Sequence, residues 1–221
     1  MVSIASMSKT PVYLLFSACL AAGPCAAGQV TFHEDVMAAI SKAGCNLGTC
    51  HGNATGKGGF KLSLRGEDPA YDLAALVHDV SGRRVNVFEP ERSLLLAKGT
   101  NQLAHEGGKR LDAKGWEFAT LRDWIASGAQ AGKPERELAA LEVTPAKAVF
   151  DAGQEDAQLR AVAVYADGSR RDVTDRAVYE PLQTGLVEVS RTGLVKRLEF
   201  GEPTVLVRYL GQAVPVRVTF V

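Results

Sequence analysis

Cys45 and Cys50 lie in the stretch "AGCNLGTCHGNATGKGGFKLS", and His51 follows the second thiol directly. Two thiols and an adjacent imidazole could form a disulfide, bind zinc or hold a haem. A phosphate loop is excluded. The pattern G-x-x-x-x-G-K-[ST] needs one more residue than stands between Gly52 and Gly56, and Gly58 occupies the hydroxyl position. Zinc takes about four ligands in a tetrahedron, and the neighbouring side chains of Cys50 and His51 diverge, which makes a shared ion awkward. Adjacency is what covalent haem requires. The thiols add to the two vinyl groups on the porphyrin edge, and the histidine behind the second cysteine turns over the ring plane to the iron. The common spacing is C-x-x-C-H; here it is C-x4-C-H, a departure that Gly48 helps the backbone accommodate. Disulfide and zinc remain the alternatives.

A haem iron on His51 has a second axial position, taken in globular electron carriers by Met or another His. No methionine follows Met37, so a downstream Met is excluded. His105, in the Gly-flanked "QLAHEGGKRL", lies 54 residues after His51 and is the proposed sixth ligand. His78, within an apolar helical pattern, reads as a core or surface residue, and His33 reads as exposed in the first turn of a helix. With both positions filled the site suits electron transfer; an open sixth position would suit a gas sensor or small peroxidase. Lys57, Lys61, Arg65, Arg83 and Arg84 are candidate partners for haem propionates or a redox protein, or simply a solvated face. Trp116 and Trp124 read as core packing rather than as shields of a haem edge.

The elements that must position these residues can be read in outline. The chain has 221 residues, 25 basic and 25 acidic, with 46% apolar content. That fits one or two soluble domains and gives no basic excess to invite nucleic acid. Val12 to Ala22 is an uninterrupted apolar or small run, too short to span a bilayer and of the length of a signal-peptide core. Cleavage after Ala27 removes Cys19 and Cys25 and leaves Cys45 and Cys50 as the mature cysteines. Thr31 and Glu34 form a capping box ahead of a helix carrying Phe32, Val36, Ile40 and Ala43, which Gly44 ends. Asp68-Pro69 opens a second helix, Pro90 a short third, and "WEFATLRDWIASG" is the last, stopped at Gly128.

The texture changes after "AGKPERELAA". "LRAVAVYADGSRRDVT" alternates and turns on Asp167-Gly168, a strong hairpin signal. "LVEVSRTGLVKRL" and "TVLVRYLGQAVPVRVTFV" repeat the strand–turn–strand pattern, giving some seven short strands and a β-sandwich expectation. Asp167, Asp172 and Asp175 do not have the spacing of an EF-hand loop. The second segment reads as a spacer or interaction module.

Residues 30 to 131, through "DVMAAISKAGCNLGTCHGNATGKGGFKLSLRGEDPAYD", "SGRRVNVFEPERSLLLAKGTNQLAHEGGKRL" and "LRDWIASGA", resemble the cytochrome-c-like head of planctomycete-type exported proteins. The stretch "VYADGSRRDVTDRAVYEPLQTGLVEVSRTGLVKRLEFGEPTVLVRY" is similar to the bacterial Ig-like module of the Big2 type that often follows it. The resemblance implies haem attachment at Cys45, Cys50 and His51. The expected architecture is two domains, an all-α cytochrome-c-like domain plus an all-β Ig-like sandwich. Residues 1–27 would be a signal peptide, 28–131 the haem domain, 132–140 a linker and 141–221 the Ig-like domain. The expected function is that of an exported monohaem c-type cytochrome, not an enzyme, carrying one covalent haem c in the periplasm or at the cell surface. Its partners would be redox proteins, with no nucleic acid, no transmembrane segment in the mature chain, and an Ig-like surface available to cell-envelope components. The alternatives are a structural or adhesion protein with a disulfide or zinc site, and a five-coordinate haem sensor or peroxidase.

Overall fold

A computed structural model describes residues 30–132, 136–150 and 153–220. The proposed signal peptide lies outside the described residues. Thr31 caps the first element through its hydroxyl, which accepts from the Glu34 amide. A π-helical turn over Phe32–Val36 runs into α1, Met37–Lys42. Asp68 caps α2, Pro69–Val77, by accepting from the Tyr71 amide. A 3₁₀ turn at Pro90–Arg92 precedes α3, Leu94–Gly99. The longest helix is α4, Trp116–Ala126. Phe32, Val36, Ile40, Leu76, Leu96, Leu121, Trp124 and Ile125 close into one buried cluster. At its centre the Phe32 and Trp124 rings lie 5.3 Å apart.

From Leu138 onward the described residues are built on strands. The first sheet is β1 (Leu138–Thr144), β4 (Arg160–Tyr165) and β5 (Arg170–Asp172). The second orders β2 (Lys147–Phe150), β10 (Gln212–Phe220), β9 (Thr204–Tyr209) and β6 (Val178–Pro181). The third orders β3 (Asp156–Gln158), β8 (Leu194–Arg197) and β7 (Val187–Val189). The three hairpins read from sequence are β4–β5, β7–β8 and β9–β10, all antiparallel. Inward residues such as Ala161, Ala163, Val205, Val207, Val216 and Val218 are fully buried, as strand alternation dictates.

The fold-class expectation is overturned. The described chain is mainly β, with ten strands in three sheets against four short α-helices. It is not an all-α cytochrome-c-like domain plus an Ig-like sandwich. Gly and Pro punctuation keeps the helices between 6 and 11 residues and leaves the rest of that half in turns. In the other half, Pro145 follows β1 and the chain re-enters as β2 in a different sheet, where it pairs parallel with β10. The strands thus make three sheets with one parallel pairing, not two antiparallel layers.

The halves share a buried interface. Ala38 of α1 belongs to the β core, and Trp116 and Leu210 pack against both clusters. The Glu34 carboxylate accepts from Arg136 and from the Tyr165 hydroxyl, each at 3.1 Å. Asp35 meets Arg171 at 3.3 Å and Arg176 at 3.2 Å. Buried Lys42 donates to the carbonyls of Ala177 and Arg191.

Candidate functional site

The segment after α1 folds back on itself. The Cys45 amide still donates to Ile40, closing the helix at 3.1 Å. The Cys50 amide donates to the Leu47 carbonyl at 2.9 Å, and the His51 amide returns to the Cys45 carbonyl at 3.0 Å. The four residues between the thiols are therefore wound into turns rather than extended. The longer spacing becomes a compact loop that brings His51 back beside Cys45. Buried Asn46 pins it, donating to the Ser41 hydroxyl at 2.8 Å, while its carbonyl accepts from the Arg65 amide at 2.9 Å. Both cysteines are free thiols, each half-buried.

The glycine run that follows has a specific use. Lys57 and Phe60 exchange amide-to-carbonyl hydrogen bonds, both at 3.0 Å, across Gly58-Gly59. Both glycines have positive φ, 58° and 69°, the conformation a two-residue I′ turn demands. The turn aims the Phe60 carbonyl at His51, whose Nδ1–H donates to it at 3.0 Å. The Phe60 ring packs on the imidazole with centroids 4.6 Å apart. His51 is thereby held in one tautomer, with Nε2 unpartnered among the described residues, the arrangement in which histidine serves as a ligand. Burial pushes the His51 pKa below its usual value, against the opposing pull of the Phe60 carbonyl.

His105 mirrors this arrangement. Its Nδ1–H donates to the Gly108 carbonyl at 2.9 Å, which again leaves Nε2 unpartnered among the described residues. A Cβ at position 107 would lie 2.9 Å from the ring's Cε1, so glycine there makes room for the imidazole. The two rings are 6.2 Å apart between centroids and within 14° of parallel. Two imidazoles sharing one metal at about 2 Å per nitrogen bring their centroids about 6 Å apart.

The thiols and both histidines line one cavity of about 1000 Å³, at the upper end of the usual range for small-molecule and cofactor sites. Lys57, Arg83, Arg84, Lys98 and Arg110 also line it, with Glu106 as the one acid among the lining residues. Burial pushes the Cys45 thiol up to about 11, with Cys50 adding to the rise and Arg110 opposing it. The Arg110 guanidinium is 4.0 Å from the Cys50 sulfur.

Other candidates lie elsewhere. His78 is exposed at the end of α2, and neither it nor His33 lines the cavity. Trp124 is fully buried and donates to the Gln130 carbonyl, and Trp116 lies under the Arg176 guanidinium. Lys61 sits over Tyr71 and Arg65 faces Glu180. The sequence reading missed Phe60, Lys98 and Arg110. A paired glycine directly before an aromatic residue was the available signal for Phe60; nothing local marked Arg110, which tertiary folding brings to Cys50. Among the described residues no group of three or more His, Cys, Asp or Glu side chains is placed to hold a metal ion. A haem, whose porphyrin supplies four nitrogens, would ask only two ligands of the protein. Comparison with known protein-family models and with characterised proteins found no match.

Proposed function

We propose that the chain carries one covalently attached haem and passes single electrons between protein partners outside the cytoplasm. The observation that carries this reading is the near-parallel His51–His105 pair, both Nε2 atoms unpartnered among the described residues, on a cavity that also holds two free thiols. Cys45 and Cys50 would hold the porphyrin edge through thioethers. His51 would be one axial ligand and His105 the other. The cationic side chains at the cavity suit the two carboxylates such a group bears. The haem supplies one-electron exchange at its iron, with a potential set by axial ligands, burial and neighbouring charge.

The protein's own part is orientation and exclusion. The Phe60 and Gly108 carbonyls fix both imidazoles before any ligand arrives, and the Phe60 ring covers one flank of His51. Held by both His51 and His105, the group would suit one-electron exchange. This favours electron transfer over the sensor or peroxidase alternative. Export rests on the N-terminal reading, and the cysteines retained after cleavage are the two at the cavity. Among the described residues no helix is long and apolar enough to cross a membrane.

The test is expression with haem-maturation machinery, followed by a pyridine haemochrome spectrum and a peroxidase-stained denaturing gel. One covalent haem per chain is expected; a denatured chain without bound haem overturns the reading. His105→Ala should convert a low-spin spectrum to high-spin and let the reduced protein bind carbon monoxide. An unchanged low-spin spectrum would remove His105 from the ligand set.

A further inference from the structure

Arg84 is a buried cation with a specific set of contacts. Only 7% of the residue is exposed. One guanidinium nitrogen donates to the Ala75 carbonyl of α2 at 2.9 Å and to the Asp79 carboxylate at 3.0 Å. The other donates to the Gly59 carbonyl at 2.9 Å. The plane lies over the Phe60 ring, 4.4 Å from its centroid. The Arg84 carbonyl in turn accepts from the Leu95 amide of α3 at 3.0 Å. One residue thus ties α2 and α3 to the Gly58-Gly59 turn, and that turn presents the Phe60 carbonyl to His51.

We propose that Arg84 is a positioning residue for His51. It holds the Gly59–Phe60 edge so that the Phe60 carbonyl selects the Nδ1–H tautomer and fixes the ring's rotation about the axis to its Nε2. The planar fork suits this task because one head reaches two segments at once while its face covers an aromatic ring. A lysine ammonium could answer Asp79 but could not also bond Gly59 and stack on Phe60. A hydrogen-bonded carbonyl behind a ligating histidine makes that nitrogen a better donor, so loss of Arg84 should also move the potential of a bound haem. The inference rests on the haem reading for that last consequence, but not for the tautomer.

The experiment has two arms on the full chain. Nitrogen-15 NMR of the ring nitrogens of His51 is recorded without haem, for the wild type, Arg84→Lys and Arg84→Met. A single Nδ1–H tautomer is expected in the wild type and a mixture of tautomers in both variants. The haem-loaded forms are then compared by EPR and redox titration. Shifted low-spin g-values and a shifted potential are expected in Arg84→Lys, which keeps the charge and loses the fork. His105, whose carbonyl partner is Gly108, should keep its own tautomer throughout and so reports intact folding. A single Nδ1–H tautomer retained in Arg84→Lys overturns the proposal. A chain that never takes up haem sinks the function reading while leaving the NMR arm decisive for Arg84. Should Arg84→Met fail to fold, Arg84→Lys alone carries the decision.

Discussion

The described residues between 136 and 220 bury their apolar side chains by strand alternation, whereas residues 30–132 bury theirs on short helices strung between turns. In the β half the inward positions of β4, β9 and β10 fall every second residue, and antiparallel ladders satisfy the backbone. In the other half many joints depend on side-chain-to-backbone bonds: His51 to Phe60, Arg84 to Gly59, His105 to Gly108. The difference separates stability from function. Ladders resist change and offer few convergent polar groups, while turns can aim individual carbonyls and rings into a cavity. The molecule keeps its candidate chemistry in the turn-built half and braces that half against the sheets through Glu34, Asp35 and Lys42.

The strongest way to break this arrangement is to open the β core. Phe150 is 1% exposed and stacks on Phe220 with centroids 4.6 Å apart. Phe150→Ala should cost about 3–5 kcal/mol by leaving a cavity the sheets cannot close, read as a lowered urea midpoint. If the β half braces the site, a probe of the His51–His105 cavity will lose its signal in the same transition. A site signal that outlasts the β signal would show the halves unfolding independently.

A smaller effect is expected from the joint between them. Glu34 is 4% exposed, with Arg136, Arg171 and the Tyr165 hydroxyl around one of its oxygens. Glu34→Gln keeps the shape and removes the charge. Arg136 and Arg171 retain access to water, with about a quarter of each side chain exposed, so neither cation is stranded. The loss should be about 2 kcal/mol, as for a charged hydrogen bond, with the two halves' unfolding curves drawing apart. Curves that stay superimposed at wild-type stability would assign the bracing to the Ala38 and Trp116 contacts instead.

The two halves were also unequally legible from sequence. Strand alternation with Asp167-Gly168 and its counterparts located the hairpins, because those signals are local. The third sheet and the parallel β2–β10 pair were not legible, because pairing partners far apart in sequence leave no trace in periodicity. In the first half the caps at Thr31 and Asp68 and the stop at Gly128 mark real helix ends. Their presence suggested an all-α domain, yet a helix signal says little about how much chain lies between helices. At the site, Cys45, Cys50, His51 and His105 were named from residue chemistry, and they share one cavity. The supporting groups were hidden for a physical reason. A backbone carbonyl such as Phe60's has no sequence signature, and Arg110 reaches Cys50 across 60 residues.

Lys42 offers the finest probe of the joint, because it belongs to α1 while its ammonium bonds the carbonyls of Ala177 and Arg191 in the β half. Burial, followed by the Arg191 charge, lowers its pKa from 10.5 to about 8, with Glu117 and Asp175 pulling the other way. Below pH 8 the amine is protonated in both folded and unfolded chains, and the cost of burying the charge is fully present. Above pH 8 the folded chain gives up the proton first. The unfolded chain then binds more protons, so stability rises with pH. The gain should be about 1 kcal/mol between pH 8 and 9.5, within the limit of roughly 1.4 kcal/mol per pH unit for one proton. Above that window the slope reverses. Burial raises the pKa values of Tyr179 and Tyr209, while unfolded tyrosines ionise near pH 10. Urea unfolding of the wild type and Lys42→Met at half-unit steps isolates the lysine, since the tyrosines are common to both. A rising wild-type limb that flattens in Lys42→Met identifies Lys42 as the titrating group. Parallel profiles would mean that the ammonium keeps its proton across this range, held by the two carbonyls that join the halves.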